Sequence, residues 1–303
     1  MRFIDPPRLI AYLFFRSLVI LSCVSVFGDK VESNSYILAT GEDGAKALDL
    51  QQKFIAQGSY NLLQKAGLKA GMVVYDVGCG SGSMTVYLAQ QVGPSGHVFA
   101  VDVSEEQLNV ARLNVNEAGL TNVTFIQADA QKLDQLPIEL ADIVYFRYLL
   151  VHLLEPKVAL ENMYRRLKVG GKLAFQEPTW STIHTNYPKE FLNQYRDSVI
   201  KLGAINGVNY NIGQSTPEMS WKLPNSFVEN YELENKITLG QYKELAVIRL
   251  SEVGDKLISA GLITEETLLN WKKEIESVPV NEERYFVNLG NLTCVLVEKR
   301  KDD

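Results

Sequence analysis

The stretch DVGCGSG at residues 76–82 decides the fold of this protein. It follows an apolar run, 72–77, that is typical of a fully buried strand, and it precedes apolar residues at helical spacing over 84–92. Glycines at such a junction let the backbone turn tightly and approach a ligand without a Cβ in the way. The stretch therefore predicts a ligand-binding loop at the carboxyl edge of a parallel sheet.

The alternation of strands and helices continues beyond this loop. Further strands are predicted, with helices between them, at 97–102, 123–126, 142–146 and 172–176. Ser104 and Gln107 form a capping box that starts the helix after the second of these five strands, and Pro156 fits the first turn of the helix before the last. Leu167 is the last core residue predicted for that second helix, and Gly170-Gly171 would end it. This order predicts a doubly wound, mostly parallel α/β sheet.

The regularity weakens after Pro178, and this change divides the chain into predicted segments. They are an apolar N-terminal segment at 1–34, a ligand-binding core at 35–178, a small helical cap or insertion at 179–228, and strands and helices at 229–303 that complete the sheet. The last segment contains a strand-like stretch at 231–237, helical patterns after it, and extended chain at 285–298.

Composition excludes several classes of protein. The chain has 303 residues, of which 46% are hydrophobic, so it can form a large core and is not a disordered chain. Its 30 Lys and Arg against 36 Asp and Glu give a net charge of -6, which argues against a nucleic-acid partner. Cys23, Cys79 and Cys294 are far apart and there are 3 histidines, so we expect no metal site and a reducing compartment.

One N-terminal feature conflicts with that compartment. Residues 9–27 are largely apolar and lie between basic residues and a small-residue pattern at 26–28 that fits cleavage of an export signal. Arg16 interrupts the run, and an arginine in a membrane span costs about 2.5 to 3.5 kcal/mol on insertion scales. Three interpretations stay open: an export signal, a membrane anchor with contact at 9–27, or a wrongly assigned start.

The loop differs from a dinucleotide fingerprint, which has glycines in the order G-x-G-x-x-G. Here the order is G-x-G-x-G, and Asp76 lies two residues before Gly78. A carboxylate at that place repels a pyrophosphate but attracts a cofactor that carries an α-amino group. The alternative is a turn whose glycines serve packing alone.

Two more carboxylates follow successive strands. Asp102 ends the second strand, where it can accept hydrogen bonds from both hydroxyls of a ribose, although it also directly precedes the Ser104 helix cap. Asp129-Ala130 follows the third strand, where a carboxylate and a backbone N–H can read an adenine edge, although a turn aspartate is equally ordinary there.

Together these residues resemble the class I S-adenosylmethionine-dependent methyltransferases, over about residues 48–178. LKVGGKL at 167–173 resembles the loop before that family's fifth strand, with Val169 where proline is common. The resemblance is closest to the small-molecule branch related to quinone-ring methyltransferases. It implies S-adenosylmethionine as cofactor, and a closing β-hairpin that makes a seven-stranded sheet with one antiparallel strand. The cofactor-binding residues so predicted are Asp76, Gly78, Cys79, Gly80, Gly82, Asp102, Val103, Asp129, Ala130 and Arg147.

The acceptor side of the site rests on position alone. Arg147 follows the fourth strand and can anchor a carboxylate or satisfy loop carbonyls. His152 and Glu177 are the candidate catalytic bases, because both lie on the carboxyl edge of the predicted sheet. His152 lies in the loop before Pro156, and Glu177 directly follows the fifth strand, which should end beside the methionine half of the cofactor. Against a base role, His152 can be a packed loop histidine, and Glu177 can fix its loop by accepting backbone hydrogen bonds.

The expected function is methyl transfer to O, N or C of a small, partly apolar molecule in the cytoplasm. The alternatives are methylation of a protein, which can dock through a shallow groove, and a non-catalytic subunit that binds S-adenosylmethionine. Methylation of RNA is disfavoured by the acidic charge balance. The sequence fixes neither the acceptor nor the oligomeric state.

Overall fold

The computed structural model describes residues 41–301, with side chains from residue 46 onward. The predicted N-terminal segment at 1–34, including the apolar run 9–27, lies outside the described residues. Within 41–301, none of the helices combines the length and the apolar character that crossing a membrane requires.

A seven-stranded sheet forms the centre of the described chain, in the order β3-β2-β1-β4-β5-β10-β7. Every neighbouring pair from β3 to β5 is parallel, whereas β10 runs antiparallel to both β5 and β7. The predicted doubly wound, mostly parallel sheet with one antiparallel strand is confirmed. The strands of this sheet are β1 (Val73–Val77), β2 (His97–Asp102), β3 (Val123–Gln127), β4 (Ala141–Arg147), β5 (Leu167–Thr179), β7 (Ser226–Leu233) and β10 (Asn291–Lys299).

Helices cover both faces of this sheet. They are α1 (Gly41–Ala66), α2 (Ser83–Val92), α3 (Glu105–Glu117), α4 (Pro156–Arg165), α5 (Phe191–Ile205), α6 (Thr216–Trp221), α7 (Leu239–Ser259) and α8 (Glu265–Glu276). On one face, Leu62 of α1 and Leu88 of α2 are fully buried against Val74. On the other face, Phe146 and Phe175 stack with their ring centroids 4.5 Å apart. Burying one such side chain stabilises the fold by about 1.5 to 3 kcal/mol.

The fifth strand begins earlier than the sequence predicts. Leu167, predicted on the preceding helix, is paired with Ala141 as the first residue of β5. A register shift follows, and Gly170, with φ of 78°, lies in it. Gly170-Gly171 therefore makes a bulge within a strand rather than the end of a helix, because glycine supplies backbone angles that both features use.

The predicted closing hairpin is confirmed in its pairing. Strands β7 and β10 pair antiparallel, with Leu233 opposite Leu292. The predicted helical segments lie between these strands, where the chain continues through β8 (Lys236–Thr238), helices α7 and α8, and β9 (Phe286–Asn288). Strand β9 pairs antiparallel with both β8 and β6 (His184–Thr185) in a second sheet.

Helices α5, α7 and α8 pack together as a cap. The indole N–H of Trp271 on α8 donates to the side-chain oxygen of Gln194 on α5, at 3.0 Å. Arg249 on α7 donates to the side-chain oxygen of Gln51 on α1, at 2.9 Å. The cap thus includes helices from the segment 229–303 as well as from the predicted cap at 179–228.

Candidate active site

The glycine loop joins the end of β1 to the start of α2. Gly78, Gly80 and Gly82 all have positive φ, at 70°, 53° and 82°, which a residue with a side chain adopts at a cost of about 1–2 kcal/mol. The N–H groups of Gly78 and Cys79 donate to the carbonyl of Val101 at 2.8 and 3.0 Å, which ties the loop to β2. A Cβ at Gly78 would lie 3.0 Å from a methyl of Leu149. Glycine at position 78 thus serves both the backbone angle and the close packing against Leu149, and residues 76–82 are called the glycine cradle below.

Asp102 connects this loop to the start of α3. Its carboxylate accepts from the N–H of Gly80 at 2.9 Å and from the N–H of Ser104 at 3.0 Å, one bond on each oxygen. Burial raises the pKa of Asp102, and these backbone hydrogen bonds oppose the rise. Because a carboxylate oxygen can accept two hydrogen bonds, each oxygen keeps capacity for a ligand hydroxyl. Ser104 caps α3 by accepting from the N–H of Gln107, so both roles considered for this segment are compatible.

Asp76 lies beneath the loop rather than at its surface. It is 2% exposed, and its carboxylate accepts from the hydroxyl of Thr85 on α2 at 2.6 Å. Burial raises the pKa of Asp76 to about 6, against the lowering influence of Thr85 and of the Arg147 charge. Contact of Asp76 with the amino group of a cofactor stays a prediction. Cys79 beside it is a buried free thiol.

The predicted adenine position lies at the rim of the same edge. The carboxylate of Asp129 accepts from the N–H of Gln131 at 2.8 Å, and so starts a short 3-10 helix in which Ala130 is buried. Val103, directly after Asp102, is 41% exposed. The carboxyl ends of β2 and β3 thus present a carboxylate, an apolar side chain and a turn next to the glycine loop, as the sequence predicts.

Helix α1 covers the glycine loop, and the sequence analysis did not find it. Asp49 accepts from the hydroxyls of Ser81 and Ser83 at 3.1 and 3.0 Å. The guanidinium of Arg147 donates to Ser59 at 2.8 Å and also to Gln52, both on α1. Arg147 therefore anchors this helix to the end of β4. The contacts involve polar side chains of a helix, which have no motif of their own, so only the folded chain reveals them.

The two candidate bases lie around the turn that follows β4. The fully buried carboxylate of Glu177 accepts from the N–H groups of Leu149 and Leu150 at 2.8 Å and of Val151 at 3.2 Å. Burial raises the pKa of Glu177 to about 8, against the lowering effect of these three N–H groups. This geometry matches the loop-fixing alternative for Glu177.

Burial and the nearby Arg249 charge lower the pKa of His152 to about 3, so its imidazole is neutral at physiological pH. A base with so low a pKa takes up a proton poorly near neutral pH. The imidazole ring packs against the ring of Tyr210 in a T-shaped arrangement, with the ring centroids 6.1 Å apart. The structure thus favours a packed His152, and its base role stays a prediction.

Tyr148 is a strained residue in the same turn. Its φ of 52° is unusual for a bulky side chain, and such strain persists where the surroundings hold it in place. Burial raises the pKa of its phenol to about 12. No sequence signal marks this position, because tyrosine has no preference for left-handed backbone.

Comparison with known proteins agrees with this geometry. Residues 68–215 match the family model described as "Methyltransferase domain". The chain is 30% identical over 152 residues to the ubiquinone/menaquinone biosynthesis C-methyltransferase UbiE of Vibrio vulnificus, covering 47% of this chain and 58% of that protein. It is 35% identical over 126 residues to the demethylmenaquinone methyltransferase of Listeria welshimeri, covering 40% and 53%. The chain thus spans somewhat more than half the length of these curated relatives.

A solved structure extends the likeness of the fold. A protein of Bacillus halodurans assigned to the methyltransferases superposes with a TM-score of 0.55 at 20% identity, over 81% of this chain and all of that one. The glycine loop and the carboxylate at the end of β2 lie within residues 68–215, the region that the family model matches. This part of the chain is therefore similar to the methyltransferase domain family, and the fold of the chain is that of the Bacillus halodurans protein.

Proposed function

We propose that this protein transfers a methyl group from S-adenosylmethionine to O, N or C of a small, partly apolar molecule. The observation that carries the proposal is the glycine cradle with three left-handed glycines, closed on one side by the Asp102 carboxylate. The named quinone methyltransferases among its relatives support a ring-shaped acceptor.

The residues present fit S-adenosylmethionine at this edge of the sheet. A Cβ at Gly80 would lie 3.0 Å from a methyl of Leu48, so glycine at this position lets α1 lie close over the loop. Asp102 would accept the ribose hydroxyls, and Asp129 with Ala130 would bind the adenine. The remaining predicted cofactor contacts are Asp76, Cys79, Gly82, Val103 and Arg147.

The reaction needs alignment more than it needs acid-base chemistry. When bound, S-adenosylmethionine supplies a methyl group on a sulfonium, which is displaced in line by the acceptor atom. The turn after β4 would align the acceptor with the methyl group, because its conformation is fixed by three N–H groups that donate to Glu177. These hydrogen bonds thereby fix the positions of Tyr148 and His152 in the same turn. If the acceptor loses a proton, Glu177 and His152 remain the candidate bases.

Two measurements test this function. Titration calorimetry should show that S-adenosylmethionine binds the purified protein, and that NAD does not compete. Incubation with methyl-labelled S-adenosylmethionine and a panel of hydroxylated ring compounds should then give a labelled product that depends on the enzyme. Cofactor binding without turnover across the panel would favour the non-catalytic alternative, and absence of binding would overturn the proposal.

We also propose that the working enzyme is cytoplasmic, because S-adenosylmethionine is a metabolite of the cell interior. Cell fractionation with N-terminal sequencing of the native protein tests this location. A mature chain that begins at Asp29 and is recovered outside the cytoplasm would contradict it.

A further inference from the structure

A row of polar side chains crosses the sheet on the face that α1 covers. Arg147 on β4 is paired with Gln176 on β5, Gln176 with Cys294 on β10, and Cys294 with Tyr231 on β7. Because residues paired across strands project from the same face, the four side chains lie in line. Gln176 and Cys294 are fully buried. Such a row is unusual between a sheet and a helix, where buried residues are mostly apolar.

Ser59 of α1 connects this row to the guanidinium of Arg147. One N–H of the guanidinium donates to Ser59 Oγ at 2.8 Å. The Ser59 hydroxyl in turn donates to Gln176 Oε1 at 2.5 Å, and Gln176 Nε2 donates to Cys294 Sγ at 3.2 Å. The hydroxyl hydrogen is therefore committed to Gln176, and the oxygen of Ser59 is left to accept from Arg147.

Helix α1 comes close enough for these bonds because residue 58 is glycine. A Cβ at Gly58 would lie 2.7 Å from a methyl of Leu233 and 3.4 Å from Gln176 Nε2. Gln52 lies two turns before Ser59 on the same face of α1, and it accepts from the other terminal nitrogen of Arg147. The guanidinium is thus held at two points, which fixes its orientation.

The place of Arg147 in the sheet gives this orientation a use. Val77 of β1 is paired with Phe146 of β4, so Arg147 follows directly beside Gly78, the first glycine of the cradle. The Arg147 side chain is half-buried. A guanidinium has five N–H donors, so the bonds to Ser59 and Gln52 leave donors for a ligand.

The charges at this edge of the sheet indicate which ligand group Arg147 binds. Three carboxylates belong to the cradle or contact it, and they are those of Asp49, Asp76 and Asp102. Arg249 of the cap also reaches α1, but its guanidinium is paired with Glu252 at 2.7 Å. Carboxylates attract the amino group of an amino acid and repel its carboxyl group. An amino-acid carboxylate bound here therefore needs the guanidinium of Arg147, which can bind it through two N–H groups.

We propose that Ser59 and Gln176 are positioning residues, which hold Arg147 so that its guanidinium binds the carboxylate in the methionine half of S-adenosylmethionine. The assignment rests on the proposed function for the identity of the cofactor. Ser59 and Gln176 act through Arg147, because both are fully buried between α1 and the sheet.

The test compares S-adenosylhomocysteine with its decarboxylated analogue, which keeps the amino group, the ribose and the adenine. Calorimetry should show that wild type binds S-adenosylhomocysteine about 10- to 100-fold more tightly, the range for hydrogen bonds to a charged group. Ser59→Ala should weaken this binding about 3- to 10-fold, because the ligand must then immobilise the side chain that Ser59 held. Its affinity for the decarboxylated analogue should stay unchanged.

Two further variants show whether Ser59 acts through Arg147. In an Arg147→Met background, Ser59→Ala should have no further effect on S-adenosylhomocysteine binding, since residues that act as a unit are not additive. Gln176→Met should cause a smaller loss than Ser59→Ala, because Ser59 keeps its oxygen and loses only the group that orients its hydroxyl. The matched control is Ser220→Ala, another fully buried serine, which donates to the carbonyl of Thr216 at 2.8 Å and should leave both affinities intact.

The assignment is overturned if Ser59→Ala weakens both ligands equally, because the row then only fastens α1 to the sheet. A loss that persists in the Arg147→Met background overturns it as well. If Ser59→Ala does not fold, Ser59→Cys takes its place, since a thiol of similar size is a weak acceptor. An unchanged preference for the carboxylate in that variant also contradicts the assignment.

The outcomes separate this assignment from the proposed function. A wild-type protein that binds neither ligand refutes the cofactor and thereby the proposed function. Binding of both ligands with equal affinity refutes only the roles of Ser59, Gln176 and Arg147. A protein that shows the preference but methylates nothing retains these roles and loses the proposed function.

Discussion

The glycine loop and the insertion between β7 and β10, which contains α7, differ in how the sequence specifies their contacts. The loop consists of consecutive residues, and Gly78, Gly80 and Gly82 take backbone angles that few other residues adopt at low cost. In the insertion, Arg249 and Glu252 form a buried ion pair, and Arg249 also donates to Gln51 of α1. These are ordinary residues of a helix, and their contacts exist only because the helix is buried in the folded protein. The first region is readable as a motif, and the second is not.

This difference implies a different tolerance to substitution. Backbone geometry at the loop restricts which residues fit, whereas side chains of an insertion can change while the sheet stays the same. Substitutions in the loop should therefore cost more than substitutions at the exposed surface of the insertion. The following predictions test that separation, from the largest expected effect to the smallest.

The largest effect is expected from Gly82→Ala. A Cβ there would lie 2.7 Å from the Cβ and 2.9 Å from the Cα of Ala111, and φ is 82°. Left-handed strain and overpacking together should destabilise the protein by about 2–5 kcal/mol and weaken cofactor binding. Gly93→Ala is the matched control, since φ is 63° there and nothing lies within 4 Å of its Cβ. Chemical denaturation of both variants measures the difference, and equal losses would show that Ala111 does not restrict the loop.

The next effect concerns Asp102→Ala, which removes the acceptor for two backbone N–H groups and, by our proposal, for the ribose. We expect S-adenosylmethionine affinity to fall by about 1.5 to 3 kcal/mol, the range for hydrogen bonds to a charged group. Titration calorimetry with S-adenosylmethionine measures it. An unchanged cofactor affinity would remove Asp102 from the site.

Glu177→Gln should separate the two roles of that residue. As a brace, the ionised carboxylate accepts three N–H groups that a glutamine oxygen serves less well. Because burial raises the pKa of Glu177 to about 8, the loss of about 1–3 kcal/mol of stability, with a modest loss of turnover, is expected above pH 8. As a base, its replacement should instead lower turnover by about 10² to 10⁴ at unchanged stability. Denaturation and single-turnover rates of the same preparation distinguish these outcomes, with His152→Ala in parallel.

Glu177 also predicts a pH dependence. Its pKa is raised from 4.5 to about 8 on folding, so its contribution to stability is present below the lower value and is lost as the pH rises through 8. Asp76, raised to about 6, titrates lower, which leaves pH 6 to 8 as the window for Glu177. The free energy of unfolding of wild type should fall across that window, and Glu177→Gln should flatten the fall. Parallel curves for the two proteins would contradict this assignment.

The smallest effect is expected at the exposed link between α1 and α7. Lys46 and Glu244 approach to 3.3 Å, but their side chains are 64% and 59% exposed. Such a pair contributes about 0–1 kcal/mol, so Lys46→Ala should hardly change the denaturation midpoint. A loss as large as that caused by Gly82→Ala would mean that the contact between these helices depends on surface charge.

The sequence predicts best those parts of the fold whose ends are marked by turn or capping residues. Strand β2 was predicted at its observed bounds, 97–102, because Gly96 precedes it and Ser104 caps the helix that follows. The carboxylates of Asp102 and Asp129 were placed at the right edge for the same reason, since strand ends are marked by turn residues.

The parts that escaped depend on contacts between distant segments. Helix α1 reaches the loop through Asp49 and Gln52, whose partners lie more than 30 residues away along the chain. Tyr148 is held in left-handed backbone by its surroundings and not by its own preference. The helical pattern at 241–262 was found, but nothing local says that it is inserted at the tip of a β-ribbon, because that placement is fixed by tertiary packing.

The ribbon of β8 and β9 has a consequence for how the insertion relates to the sheet. Lys236 is paired with Asn288 and Thr238 with Phe286, so the chain leaves and re-enters the large sheet through adjacent strands. The entropic cost of closing such a loop rises only logarithmically with its length. Proteins also tolerate an inserted domain best where the two ends of the insertion are adjacent. Residues 239–285 therefore form a segment whose two ends are neighbours, and such a segment can be replaced without moving the strands of the large sheet. This segment could therefore be exchanged, in evolution or by design, without a change in the glycine loop that is proposed to bind the cofactor.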